Sequence, residues 1–500
     1  MSSTFSELQT QLRERWELLP TRDQGPRDVV IIPSLSLDGL TMTNIAGVNH
    51  YEERMLFALS LLRHPRAQLV YVTSVPLHPA IVDYHLSLLQ GIPIAHAKAR
   101  LTLLSAHDAS PRPLTHKILE RPRLIERIRR AIDPRVAHMT CFTSSPAERD
   151  LAVQLGIPLY GVDPELLRLG TKGGSREAFE RAGVPHPPGI SGIDSADDIP
   201  RAIVELLGEH PDAKRVVIKH AQGFSGEGNA VVNVEGVHGD AAAIDGRLEA
   251  LEVNGSFPKW FQFAAEFERQ GDGVVELFIE GAQKRSPSGQ IRITPAGDLQ
   301  CVSTHDQLIG GPDGQTYEGC RFPADESYRM AIQDDALAVS RVLRDAGVIG
   351  RAAVDFVAVR REDDPDVWDR YAIEINLRMS GTTHPLMLLR MLSGGGYDAD
   401  TGLYFTGRGE PRCYVASDTI KKPRYRGLLV DDLLDIAAVH ELHYLPWSDT
   451  GVVFHLMGAL SQFGKVGITA IGRTAEEAAR FFRRTQECLD NETAVPPRGT

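Results

Sequence analysis

Between residues 28 and 162 five short β-rich runs, DVVIIPSL, AQLVYVTS, ARLTLLSA, AHMTCFTS and IPLYGV, alternate with helical patterns, and this alternation restricts the fold more than any other feature. Strand, helix and strand in repetition give parallel pairs, so a doubly wound α/β layer is predicted. The helices are NHYEERMLFALSLLRH, AIVDYHLSLLQ, ILERPRLIERIRRAI and PAERDLAVQLG. Pro122 lies inside the third, and proline lacks the donor a helix interior needs, so that helix begins there or bends. MSSTFSELQTQLRERWELLP mixes acids and bases throughout, unlike the apolar core of a signal peptide, and reads as an amphipathic helix.

Past residue 260 the texture changes. VVELFIEG, GQIRITPAG, LQCVSTHD, RAAVDFVAVR and DRYAIEINL follow one another across turns and short loops, which predicts an antiparallel sheet, interrupted by one long helix over DESYRMAIQDDALAVSRVLRDAG. A second unit opens near residue 163 with SREAFERAG, the Pro-rich exit VPHPPG, a helix around ADDIPRAIVELLGEH and the strand RVVIKH. The last hundred residues return to a smaller α/β texture in GVVFHLMGAL, GKVGITAIG and TAEEAARFFRRTQECLD, and NETAVPPRGT reads as a disordered tail. The expectation is a multidomain α/β and α+β protein, divided as 1–162, 163–400, 401–490 and a tail at 491–500.

Five hundred residues, 42% hydrophobic and 24% charged, suffice for about two to four cores. A net charge of −12 without a local basic stripe speaks against a nucleic-acid partner, and no apolar run approaches a membrane span. The five cysteines are far apart with no CxxC pair, which argues against a zinc site or disulfide framework and fits a reducing cytoplasm.

In GRAAVDFVAVRREDDPDVWDRYAIEINL two strands flank the polar loop REDDPDVWD. Folded as a hairpin, they place Asp355 opposite Glu374 or its neighbour, and period-two geometry puts Glu374 and Asn376 on one face while Ile373 and Ile375 anchor the other in the core. Facing carboxylates destabilise a sheet and do not both ionise without a counter-charge. A divalent cation supplies one, and the oxygen set Asp355, Glu374 and Asn376 suits hard Mg²⁺ or Mn²⁺. The plain alternative is a solvated sheet face.

Magnesium held by few protein ligands keeps its other positions for phosphate oxygens, so phosphate binders are expected. Of the ten lysines, two stand out. Lys219 ends RVVIKH and precedes AQGFSGEGNA, whose Gly223, Gly226 and Gly228 let backbone NH groups approach anionic oxygens. Lys172 stands just before the helix GGSREAFERAG, whose N-terminal end favours anions. No Gly-Lys-Ser/Thr closes the loop and no GxGxxG follows a strand, which disfavours two common nucleotide folds. Singly, a glycine-rich loop is equally a mobile turn and a strand-end lysine a solvated edge.

In their order along the chain, lysine before a helix, lysine ending a strand, glycine-rich loop, VVELFIEG, Asp355 and Glu374-x-Asn376 resemble the ATP-grasp superfamily, roughly from Gly161 to Pro385. SPSGQIRITPAGDLQCVSTHDQLIGGPDGQTYEGCRFPAD, with VFHLMGALSQFGKVG downstream, is similar to the peptide ligase family typified by the pheganomycin biosynthetic enzyme, which joins an amino-acid-like carboxylate to a peptide amine. The resemblance implies an ATP-grasp fold behind an N-terminal Rossmann-like pre-ATP-grasp domain, with ATP and Mg²⁺ (or Mn²⁺) as cofactors. It implies Lys172 and Lys219 on the phosphates, with Gly223, Ser225, Gly226 and Gly228 in the loop that closes over them. The hinge Glu276 to Ile279, Phe278 included, would read adenine with its backbone, and Asp355, Glu374 and Asn376 would hold the metal. Ala282 and Gln283 follow Gly281 where many superfamily members carry a ribose-binding carboxylate, so Glu280 or Gln283 is the ribose candidate.

A carboxylate is a poor electrophile, so an enzyme of this kind phosphorylates it with ATP and lets an amine attack the acyl phosphate, releasing ADP and phosphate. The implied partners are a small amino-acid-like carboxylate and an amino-acid or peptide amine, in peptide, antibiotic or other secondary-metabolite biosynthesis; a homodimer is compatible with this. Arg378, two residues beyond Asn376 on the same face if the strand continues, is the first candidate for stabilising developing charge, and Arg292 in GQIRITP the second; either is otherwise an ordinary ion-pair partner. His305, with Asp306, is a candidate for deprotonating the amine or shaping the acid pocket, against the plain reading of a structural histidine. Glu52 and Glu53 read as a solvated helix face, and GGPDG and SGGGYDADTG as loops. The competing functions are an ATP-grasp kinase acting on a small molecule and a nucleotide-binding protein without turnover; the complete set of lysines and metal ligands argues against the latter.

Overall fold

The structure, a computed structural model, describes residues 4–18, 27–37, 39–223, 228–237, 239–253, 256–310 and 316–494. The predicted parallel layer is a five-stranded sheet in the order Leu101–Ser105, Ala67–Thr73, Arg27–Ile32, Ala137–Cys141, Leu159–Tyr160. Its central strand is buried on both faces, as a continuous apolar run requires: Val29 and Ile31 enter one core, Val30 and Ile32 another. Pro122 begins the helix Pro122–Arg130, and a separate helix Leu114–Leu119 precedes it, so the third predicted helix is two. The amphipathic helix Phe5–Leu18 buries Leu8 and Leu12 and docks on the last strand through Gln9, which donates to the Leu159 carbonyl and accepts from its NH, both at 2.9 Å.

A four-stranded antiparallel sheet follows, in the order Gly189–Ile193, Gly273–Leu277, Arg215–Lys219, Asn229–Asn233. The third sheet has eleven strands and carries the hairpin of Gly350–Arg360 and Trp368–Asn376. It continues across residue 400: Pro411–Lys421 pairs antiparallel with Thr316–Phe322, Cys320 opposite Ala416, and Lys465–Gly472 and Gly451–His455 add to it. A sequence reports that a strand exists but not whose open edge it joins, so alternation after residue 400 read as a new α/β unit. The long helix Arg329–Asp345 covers this sheet through Ile332, Ala336, Val339 and Leu343, spaced along one helical face. Residues 495–500 of the expected tail, and residues 311–314 of GGPDG, lie outside the described residues.

One expectation about charge fails. Glu52, Glu53 and Arg54, in the helical segment Val48–Arg63, are all buried. Glu52 accepts from the Ser74 NH and hydroxyl, both at 2.6 Å, Glu53 from the Gly458 NH at 3.1 Å, and Arg54 pairs with Asp418 at 3.1 Å. Three consecutive residues on a helix point three ways, and here each direction meets another part of the chain. The Glu53 and Arg54 contacts hold the N-terminal layer against the C-terminal part of the chain, and the Glu52 contacts brace the layer itself. No helix among the described residues is long and apolar enough to cross a membrane.

Candidate active site

A cleft of about 1230 Å³ lies between the four-stranded and eleven-stranded sheets. On its floor Asp355 stands directly opposite Glu374, the register the hairpin reading requires. A bulge interrupts the ladder beside this pair, since Phe356 faces Ala372 and Ile373 is the extra residue. The bulge breaks the period of two: Ala372 and Ile375 both enter the core, while Ile373 and Glu374 both line the cleft. Ile373 is therefore not the core anchor the alternation predicts.

Asn376 donates from its amide nitrogen to Asp355 at 2.9 Å. Lys172 reaches Glu374 at 2.8 Å. It is aimed there because Thr171 caps the helix Lys172–Ala182 and Ser175 of that helix accepts from the Ile375 NH at 3.1 Å. Burial, then the facing Glu374 charge, pushes the Asp355 carboxyl up to about 6. Burial acts upward on Glu374, but Lys172, through charge and hydrogen bond, together with the charges of Arg378 and Lys219, outweighs it and the net shift is down. Arg378 hydrogen-bonds the Asn376 side-chain oxygen although the strand ends at Asn376 and does not carry it there as a continued ladder. Burial lowers its guanidinium pKa, opposed by the charges of Glu374 and Asp355.

On the opposite wall Lys219 pairs with Glu276, whose other oxygen lies 3.4 Å from Arg176. Glu276, Leu277, Phe278 and Ile279 all line the cleft. The Leu277 and Phe278 NH groups donate to the carbonyls of Pro188 and Arg215, at 2.9 and 3.1 Å, so the backbone positions of this hinge are already fixed by its neighbours. Gly223 lines the cleft, and Gly228, at φ +83°, accepts from the His220 NH at 2.9 Å. Ser225 and Gly226 lie outside the described residues.

Several candidates lie elsewhere. Gln283 is exposed, accepts from Arg360 at 3.2 Å and does not line the cleft, while Glu280 is held in a two-pronged pair by Arg215 at 2.9 and 2.6 Å. Arg292 donates to the Tyr160 hydroxyl at 2.8 Å and lines a different cavity. His305 is fully buried beside Tyr414 and Phe322, with its Nε2 on the Tyr414 hydroxyl, and burial pushes its imidazole down to about 3. A neutral ring sealed from the cleft has no path to an incoming amine. Asp306 accepts from the Tyr328 hydroxyl at 2.7 Å and the Asp325 NH at 3.0 Å, which occupies it structurally.

The sequence reading missed three features of the cleft. Arg54 and Asp418, from chain segments more than three hundred residues apart, meet in its wall. Ser288 faces Asp355 from the adjacent strand. Gln290, Ser380, Thr382 and Thr383 form one hydrogen-bonded group that fixes the turn after Arg378. The clue for Arg54 was an arginine directly before the apolar run MLFALSLL.

The carboxylate shelf fits a divalent ion by its chemistry. Two facing carboxylates and an amide oxygen are hard donors, and acids held directly opposite each other favour a cation between them. Among the described residues no group of three His, Cys, Asp or Glu side chains converges, so oxygens from outside the protein must complete any shell here.

The chain matches the family described as IQCH-like, ATP-grasp over residues 164–247 and 243–400, and that of the PGM1 C-terminal domain over residues 432–485. It is 31% identical over 475 residues to L-propargylglycine–L-glutamate ligase of Streptantibioticus cattleyicolor, covering 93% of this chain and 95% of that protein. Among solved structures, biotin carboxylase from Campylobacter jejuni has a TM-score of 0.56 at 13% identity, covering 95% of this chain and 96% of the other. The ADP complex of N5-carboxyaminoimidazole ribonucleotide synthetase has a TM-score of 0.51 at 14% identity, covering 94% and 98%. Identities this low speak to fold alone.

Proposed function

The chain belongs to the ATP-grasp ligase family that includes L-propargylglycine–L-glutamate ligase, and from that premise we propose that it joins an amino-acid-like carboxylate to an amino-acid or peptide amine, with ATP converted to ADP and phosphate. The observation that carries this reading is the facing pair Asp355 and Glu374, flanked by Lys172 and Arg378, on the floor of the cleft that the hinge also lines. We take residues 163–400 and the strands of 401–490 as one catalytic body behind the N-terminal layer of residues 1–162.

In this reading Lys172 and Lys219 leave Glu374 and Glu276 for the phosphate oxygens, a compensated exchange of one anion for another. The hinge residues hold the adenine, and the backbone at Gly223 and Gly228 approaches the phosphates. Asp355, Glu374 and Asn376 would hold Mg²⁺, which when bound would supply positive charge to the transferring phosphoryl group. A carboxylate oxygen of the acid attacks the γ-phosphorus and the bond to the ADP oxygen breaks. The amine nitrogen then attacks the acyl carbon, the bond to phosphate breaks and the nitrogen loses a proton. Arg378, beside Asn376 and the two carboxylates, is placed to stabilise the oxyanion of that second step.

Incubation with Mg·ATP and pooled amino acids and peptides tests the reading, by ADP and phosphate release and product mass. Condensation with loss of water is expected. A product heavier by one phosphoryl group would replace the ligase by a kinase, and AMP formation would exclude the acyl phosphate.

A further inference from the structure

A second cavity, of about 710 Å³, lies between the parallel layer and the large sheet, and shares Phe142, Arg378 and Met379 with the cleft. Eight of its described lining residues are arginines and none is acidic. Arg292 and Arg351 stand directly opposite each other on antiparallel strands, an arrangement that repels. Arg390 comes from the helix Thr383–Ser393, and Arg63 from the end of the segment Val48–Arg63.

Arg135 at the rim is paired with Asp133 at 2.7 Å, whereas the partners of Arg292 and Arg351 are uncharged. Arg292 meets the Tyr160 hydroxyl, and Arg351 donates to the Met387 sulfur at 3.2 Å while its Nη1 is buried with no partner. Burial, then Arg292, with Arg390 acting the same way, pushes the Arg351 guanidinium down to about 10. A structural arginine is normally given a carboxylate, because an unpaired buried cation is costly. Planar guanidinium forks match carboxylates in two-pronged geometry. Met387, Met391 and Leu377 add an apolar wall suited to a carbon chain between charged ends.

We propose that this chamber binds a carboxylate of the substrate other than the one activated, so that the enzyme acts on dicarboxylic amino acids or on peptides that carry such a group. This rests on the ligase reading, with the reacting carboxyl at Arg378 and the second carboxylate among Arg292, Arg351 and Arg390. The source of that carboxylate is the acid or the amine half of the product.

Calorimetric titration of the MgADP-loaded protein with L-glutamate, L-glutamine, L-norvaline and inorganic phosphate tests it. Glutamate should bind at least tenfold more tightly than glutamine or norvaline. Arg351→Met should lose at least tenfold in glutamate affinity, Arg351→Lys should recover part of it, and both should keep their MgADP affinity, which reports an intact fold. Equal binding of glutamate and glutamine, or no effect of Arg351→Met, overturns the chamber, and tighter binding of phosphate than glutamate makes it a phosphate site instead. ADP release and tandem mass spectrometry of the amide are followed separately, and the fragments assign the second carboxylate to the acyl or the amine half. Arg351-dependent glutamate binding without any amide would leave the chamber standing and remove the ligase reading. Amides made from substrates with no spare carboxylate, at a KM that Arg351→Met does not change, would do the reverse.

Discussion

The two cavities that meet at Arg378 handle charge in opposite ways. In the cleft the buried cations face acids: Lys172 faces Glu374, Lys219 faces Glu276 and Arg54 faces Asp418. In the chamber arginine faces arginine, Arg292 across from Arg351, and the neutral partners are a tyrosine and a methionine. A balanced site holds its side chains in position before a ligand arrives, and an anionic ligand competes with carboxylates already there. An unbalanced site stores repulsion that only an anionic ligand relieves, so it selects for charge.

The largest expected effect comes from breaking the balanced side at its metal shelf. Glu374→Gln should lower steady-state ADP formation by about a thousandfold or more, with far-ultraviolet circular dichroism unchanged; full turnover in that variant would refute the shelf. Asp418→Asn leaves Arg54 buried without its acid, and urea unfolding should show a loss of about 3 kcal/mol.

His305 serves as a control outside both cavities. Its folded pKa of about 3 lies below the ordinary 6.5, so the unfolded chain takes up a proton first and stability falls as pH drops below 6.5. Relative to wild type, His305→Gln should be less stable by about 1 kcal/mol at pH 7.5 for the lost tyrosine contact, and the gap should close by about 1.4 kcal/mol per pH unit below 6.5. Its kcat should stay within about threefold of wild type, and a collapse would return His305 to the chemistry. The smallest effect sharpens the contrast: Arg351→Met should raise unfolding stability in the absence of substrate by up to about 1 kcal/mol, opposite in sign to Asp418→Asn. If both variants destabilise alike, the two cavities do not differ as described.

Much of the cleft was legible because its parts are local. The hairpin that sets Asp355 against Glu374 needs only two strands and a loop, and Lys172 and Lys219 announce themselves at a helix start and a strand end. What failed depended on packing. Ile373 misreads because a bulge beside Asp355 shifts the pleat, Gln283 because the chain past the hinge takes it to Arg360, and His305 because Phe322 and Tyr414, from two other strands, close over it.

Periodicity in the sequence determined the parallel layer through repeated strand and helix, and the antiparallel hairpin and the shelf of oxygen donors through residues close together in the chain. Only the tertiary structure decided that the strands after residue 400 extend the same sheet, that Glu52, Glu53 and Arg54 are buried clasps, and that Arg63, Arg292, Arg351 and Arg390 converge. Each of those arginines is unremarked in its own segment. Electrostatic repulsion depends on distance through space, and a sequence carries only distance along the chain.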